Sequence, residues 1–282
     1  MVAPRFSIAR AAVAAGFLAS AGCSVIVKTD AEQCEADADC AARGADFAGT
    51  VCLEHVCQDK PDPKWGCIGH VEPPKGSAMI TVAVQLVDLV SGLPAKGVTV
   101  KLCSKYDPPC NSPLGMPEVG ADGYVSATVT RDFQGYFDVQ SSSYLPSLVF
   151  LDADVTASNP VVQLVTPGVV DTLAMGVSVT RDPAAGIVLS RTVDCQLTAS
   201  SGVSISIFPS AKETAFYLIA SGVSPGATAT DRSGDSGFIN VAPGTPTITA
   251  TRGQGGEVIG KVTTLVRAGA VTYQLLPPTP LP

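Results

Sequence analysis

The chain has 282 residues and a formal net charge of −7, with 15% charged and 6% aromatic residues. An acidic surface gains nothing from counterion release on a phosphate backbone, which excludes nucleic acid as a partner, and few rings leave no broad stacking platform for sugars or bases. With 27 Gly, 22 Pro and abundant Val and Thr, the composition indicates an all-β protein long enough for two modest domains.

Residues 1–22 read as an export leader. Arg5 and Arg10 supply a basic start, Ala11 to Leu18 an apolar core too short to span a membrane, and Ala19-Ser-Ala-Gly-Cys23 a small-residue end. Removing it leaves 16 basic groups against 25 acidic ones, a net charge of −9. Ala19-Ser20-Ala21 satisfies ordinary signal peptidase, whereas Ala21-Gly22-Cys23 resembles the end of a bacterial lipobox, with Ser20 where a larger apolar residue is usual. Parity favours the second cleavage. Nine cysteines leave one over, but a lipidated Cys23 leaves eight that can pair. The expected location is the cell envelope, as an outer-membrane lipoprotein held to the membrane by its lipid, or free secretion where Cys23 is unmodified.

Residues 23–77 form an acidic, cysteine-dense module and linker. Cys34, Cys40, Cys52, Cys57 and Cys67 follow one another with too few apolar residues between them for a self-sufficient core. Disulfides at about 2 to 4 kcal/mol each are needed to hold it. Cys52-x-x-His55-x-Cys57 fits no standard zinc spacing, so no metal is expected. Pro61-Asp-Pro63 and Pro73-Pro-Lys-Gly76 flank the sole Trp, Trp65, which is expected to cover the junction with the next domain.

A first β module is expected over residues 78–180. Thr81 to Val90 alternates apolar and polar residues, turns through Ser91 to Gly97 and returns as Val98 to Cys103, the pattern of an antiparallel hairpin with one wet face. Further strands are predicted at Gly123–Thr130, Tyr136–Val139, Leu148–Leu151, Val161–Val165 and Leu173–Val179. Cys103 and Cys110 bracket a short loop suited to a local disulfide, which leaves Cys195 to pair with Cys67. A second module over residues 181–277 repeats the order of strand, Asp, turn, Gly-Val and strand, with Ile187–Cys195 leading into Val203–Phe208, then Gly237–Gly244 and Thr245–Thr251. Strands at Val258–Leu265 and Ala270–Leu276 close it, and residues 278–282 are a tail.

The carrying residues of this repeat are Gly97-Val98, Asp122-Gly123 and Gly135-Tyr136 in the first copy. In the second they are Gly202-Val203, Thr230-Asp231, Gly237-Phe238 and Pro243-Gly244. On these residues the chain resembles the carboxypeptidase regulatory-like, or transthyretin-like, family of seven-stranded sandwiches, over Met79 to Leu276. The resemblance implies two tandem immunoglobulin/transthyretin-like β-sandwiches acting as accessory modules of an exported protein, without chemistry of their own.

Places where chemistry could sit are few. His55 and His70 are the only histidines, and no G-x-S-x-G elbow, phosphate loop or dinucleotide fingerprint is present. Asp231-Arg-Ser-Gly-Asp-Ser-Gly237 reads as an Asx turn rather than a calcium loop, since the distant bidentate Glu is missing. No cofactor and no catalytic residue is expected. The expected function is that of a non-catalytic envelope lipoprotein, structural or adhesive, with an envelope protein or polysaccharide as partner. In the carbohydrate-binding alternative, Tyr136 and Tyr144 are the candidate ligand contacts.

Overall fold

The computed structural model describes residues 33–47, 49–53, 55–60, 63–72, 75–151, 160–219, 222–224, 226–253 and 256–279. The leader and Cys23 lie outside them. The chain divides into two compact units, residues 1–60 and 61–282.

In the first unit a short helix α1 (Asp37–Ala42) and a 3-10 turn (Ala45–Phe47) precede a hairpin of β1 (Thr50–Leu53) and β2 (Val56–Asp59). The Asp39 carboxylate accepts the Glu35 and Ala36 amides at 2.8 and 2.9 Å, capping the helix N-terminus and holding this acid below the usual carboxylate range. Disulfides Cys34–Cys52 and Cys40–Cys57 tie the hairpin to the helix and the segment before it. Those bonds replace the apolar core that the composition cannot supply.

The second unit begins with β3 (Met79–Asp88), β4 (Val98–Ser104), β5 (Tyr124–Thr130), β6 (Gly135–Ser141), β7 (Ser147–Leu151) and β8 (Val161–Leu164). Helix α2 (Pro167–Gly176) follows. Then come β9 (Gly186–Thr192), β10 (Val203–Phe208), β11 (Thr214–Ile219), β12 (Gly222–Ser224), β13 (Asp235–Val241), β14 (Thr247–Arg252), β15 (Glu257–Thr263) and β16 (Val271–Leu276). The all-β class stands, as two sandwiches after a disulfide-rich N-terminal module.

The segment Leu173–Val179, expected as a strand, is instead the end of α2 and its C-terminal cap. Thr166 caps the helix by accepting the Val169 amide at 3.4 Å, Pro167 occupies the first turn, and Val170 and Ala174 share the buried stripe. Local capping outweighs the alternation of Leu173 to Val179.

The strands form one eight-stranded sheet, β12-β11-β13-β9-β16-β7-β6-β4, and two three-stranded sheets, β5-β3-β8 and β10-β14-β15. Most ladders are antiparallel, as alternation implies. Three are parallel: β3 with β8, and β16 with both β7 and β9. The last strand of the second sandwich thus lies between the two halves of the long sheet. In register across it run Leu102, Phe137, Val149, Tyr273, Leu189, Gly237 and Phe216, so these positions share one face, here called the front. The neighbouring row, Asp138, Leu148, Thr272, Val188 and Phe238, shares the back.

Each small sheet takes one face. Phe137, Val139 and Val149 pack on the front against Val82, Val84 and Leu164 of β3 and β8. Val188, Phe238 and Leu276 pack on the back against Ile205, Ile248 and Ile259 of β10, β14 and β15. Helix α2 covers the front of the second half, with Ala174 against Phe216 and Ile239.

Two glycines of the sequence repeat now have a shared cause. A Cβ at Gly135 would run into the Cys103 carbonyl and the Phe133 ring, and one at Gly237 into the Val188 carbonyl and the Phe216 ring. Each lies in the first half of its strand, β6 or β13, with an aromatic ring against its backbone.

Candidate functional site

Two features of the second unit carry geometry beyond ordinary core packing: the junction between the sandwiches and a cleft on the front of the long sheet.

The junction is built on the back face of β6. The loop between β15 and β16 places Arg267 against the first sandwich, where its Nε donates to the Pro108 carbonyl at 3.0 Å, Nη1 to Asp138 Oδ2 at 2.6 Å and Nη2 to the Tyr136 hydroxyl at 2.7 Å. The guanidinium also lies 5.5 Å from the centre of the Tyr136 ring. Gln140 donates to the other Asp138 oxygen, so this buried carboxylate is paired on both sides. Disulfide Cys103–Cys110 closes the loop that presents Pro108, and Tyr136 stacks on Phe150 with ring centres 5.4 Å apart. Within the same unit, Cys67–Cys195 spans 128 residues, and the Cys195 amide donates to the Lys64 carbonyl at 2.9 Å. Trp65 packs into the core of the second sandwich beneath Arg252.

These placements correct one expectation. Tyr136 is fully buried, its ring in the junction and its hydroxyl spent on Pro108 and Arg267, so it presents nothing to a ligand at the surface. Burial raises its phenol pKa, an effect that the charge of Arg267 partly offsets. Tyr144 packs against the first core, and burial, followed by the negative charge of Asp88, raises its pKa. The two tyrosines therefore line no common surface.

The other residues singled out from the sequence lie apart. Cys34, Cys40, Cys52, Cys57, Cys67, Cys103, Cys110 and Cys195 are all in disulfides. His55 Nδ1 is 3.2 Å from the Cys34 carbonyl, and His70 is exposed in the linker. In Asp231 to Gly237 the Ser233 amide donates to Asp231 Oδ1 at 2.8 Å, as an Asx turn requires, while Asp235 turns to Arg191 instead.

The cleft was not legible in the sequence. It measures about 250 Å³ and lies where the sheet β5-β3-β8 ends at β8 and α2 has not yet covered the floor. Leu189, Tyr273 and Leu275 form that floor, with Val161, Leu173 and Leu218 around it. The Tyr273 hydroxyl donates to the Gln163 carbonyl on the edge strand β8. At its polar end Arg191 clasps Asp235 through Nε at 2.7 Å and Nη2 at 3.0 Å, and this pairing raises the Arg191 pKa. Such a cavity can hold an apolar group but brings no nucleophile beside a base.

No family model and no curated protein matches the chain. Among solved structures it is similar to the shaft pilin SpaA of Lactobacillus rhamnosus GG, at 12% identity over 73% of this chain and 100% of that one, with a TM-score of 0.23. It is similar also to the minor pilin of Streptococcus agalactiae, at 13% identity over 72% and 97% with a TM-score of 0.22. A streptococcal ancillary pilin matches at 16% identity over 71% and 69%, with a TM-score of 0.21. Overlap at this level assigns no role to any residue. No helix among the described residues is long and apolar enough to cross a membrane.

Proposed function

We propose that the chain is a non-catalytic component of the bacterial cell surface, a lipid-anchored structural or adhesive module that holds its loops at fixed spacing for an envelope partner. One observation supports this reading most: β16 runs parallel to both β7 and β9, making the two sandwiches share one continuous sheet. Flexibly tethered binding modules have no use for such a join, whereas a load-bearing or presenting element does. The lipid at Cys23 and an outer-membrane location complete the proposal, on the strength of the leader and the even set of remaining cysteines. The sandwiches are taken as carboxypeptidase regulatory-like in kind, on the Gly, Asp and Val positions of the repeat.

A test is to offer the soluble form, residues 30–282, to cross-linked envelope proteins and to envelope polysaccharides. Capture of a specific envelope protein, lost on substitution of exposed loop residues, is the expected result. Retention on a polysaccharide that free sugar competes away, or substrate turnover lost in His70→Ala, would contradict it. Intact mass tests the anchor, since Cys23→Ser should abolish both acyl mass and partitioning into detergent.

A further inference from the structure

We propose that the front-face cleft is a binding site for a small uncharged amphiphile, with an apolar body and one hydrogen-bond acceptor. The first property follows from size and lining. Leu189, Tyr273 and Leu275 are only partly buried although they lie on the core-facing side of the long sheet; β8 and α2 pack against Leu189 and Tyr273 and leave part of the floor open. A volume of about 250 Å³ holds roughly eight to ten non-hydrogen atoms at liquid density, enough for a medium-length alkyl chain or a substituted ring. Water gains little there, since the floor offers it few partners.

The head group follows from the polar end. Arg191 spends Nε and Nη2 on Asp235 and leaves Nη1 without a partner among the described residues. An incoming carboxylate at Nη1 would meet the Asp235 carboxylate, and an ammonium at Asp235 would meet the guanidinium. An uncharged oxygen acceptor gains the Nη1 hydrogen bond and meets neither repulsion. The ion pair therefore selects an alcohol, ketone, ester or amide over a charged surfactant. This site is independent of the scaffold role, and either can fail without the other.

The experiment uses the full chain carrying Cys23→Ser and naphthalene, a fluorescent probe small enough for the cleft, displaced in turn by 1-octanol, octanoate and octylamine. Saturable probe binding is expected, with 1-octanol displacing it at about tenfold lower concentration than either charged analogue. Leu275→Trp fills the floor and should weaken probe binding by about tenfold. Should that variant lose its native circular dichroism, Val161→Trp, at the exposed rim, makes the same test without touching the core. Arg191→Lys keeps the ion pair with Asp235 and should keep the preference for 1-octanol, whereas Arg191→Met leaves Asp235 without its cation and should let octylamine displace the probe at least as well as 1-octanol, with the probe still bound. Absence of saturable binding, unchanged binding in a folded filled variant, or a charged analogue that binds more tightly than 1-octanol would overturn the proposal.

Discussion

Arg267 Nη1 lies 2.6 Å from Asp138 Oδ2, although the two residues are 129 positions apart and belong to different sandwiches. Asp138 keeps only 7% of its side-chain surface and Arg267 keeps 26%. Removing the cation leaves a buried carboxylate with one partner where it had two, and it also strips donors from Pro108 and Tyr136. Arg267→Met should therefore cost about 2 to 4 kcal/mol in urea unfolding. The double variant Arg267→Met with Asp138→Leu should recover part of that loss, because no charge is then left buried. Equal stability of the single variant and the parent would show the pair to be inert.

Alkaline pH should unfold the second unit. Burial raises the pKa of Tyr136, Tyr217 and Tyr273, whereas in the unfolded chain each phenol ionises near the ordinary value of about 10. Above that pH the unfolded state has lost protons that the folded state still holds, so stability falls as pH rises. It is present in full below about pH 10. Tyrosinate absorbance followed against circular dichroism should show a fraction of the phenols ionising only together with loss of structure. Complete ionisation in a still-folded chain would contradict this.

Gly237→Ala should destabilise by about 1 to 3 kcal/mol through overpacking, since the added methyl meets the Val188 carbonyl and the Phe216 ring. Pairing it with Phe216→Leu should lessen the penalty by removing the ring. Gly202→Ala offers a contrast of mechanism, as it has open space around it but a φ of +77°. Its cost is backbone strain alone, about 1 kcal/mol, and trimming a neighbour does not relieve it. Chemical denaturation of the three variants distinguishes the two causes.

The Cys67–Cys195 bond closes a sequence separation of 128 residues. Replacing both cysteines by serine should lower stability by about 2 to 4 kcal/mol, chiefly by freeing the unfolded chain. Thermal melts of this variant and the parent, each under non-reducing conditions, give the difference directly.

Alternation between apolar and polar residues placed most of the strands, because that period reports which side chains face a core. It does not report the neighbour. Val271 to Leu276 would alternate in the same way in an antiparallel hairpin of the second sandwich as it does between β7 and β9, so the join was invisible. The short loop between Cys103 and Cys110 marked that bond, elimination then left Cys195 for Cys67, and the structure contains both bonds. Tyr136, a candidate ligand contact in the carbohydrate-binding alternative, is instead buried against Arg267, which a loop 131 residues away supplies and the local sequence does not show. Nothing local marks the cleft either, since it is the space where two covering elements stop short of each other.

Because β16 pairs with both β7 and β9, the two sandwiches should move as one body. Val90 and Phe208 are well exposed, at 76% and 75%, and lie in the first and second sandwich respectively. The direct test is the distance distribution between spin labels at these two positions in the full chain, attached through non-cysteine handles so that the disulfides stay intact. A single narrow distribution, unchanged by salt, is the predicted result. A broad or two-peaked distribution would mean that the shared sheet opens in solution, and would contradict the account.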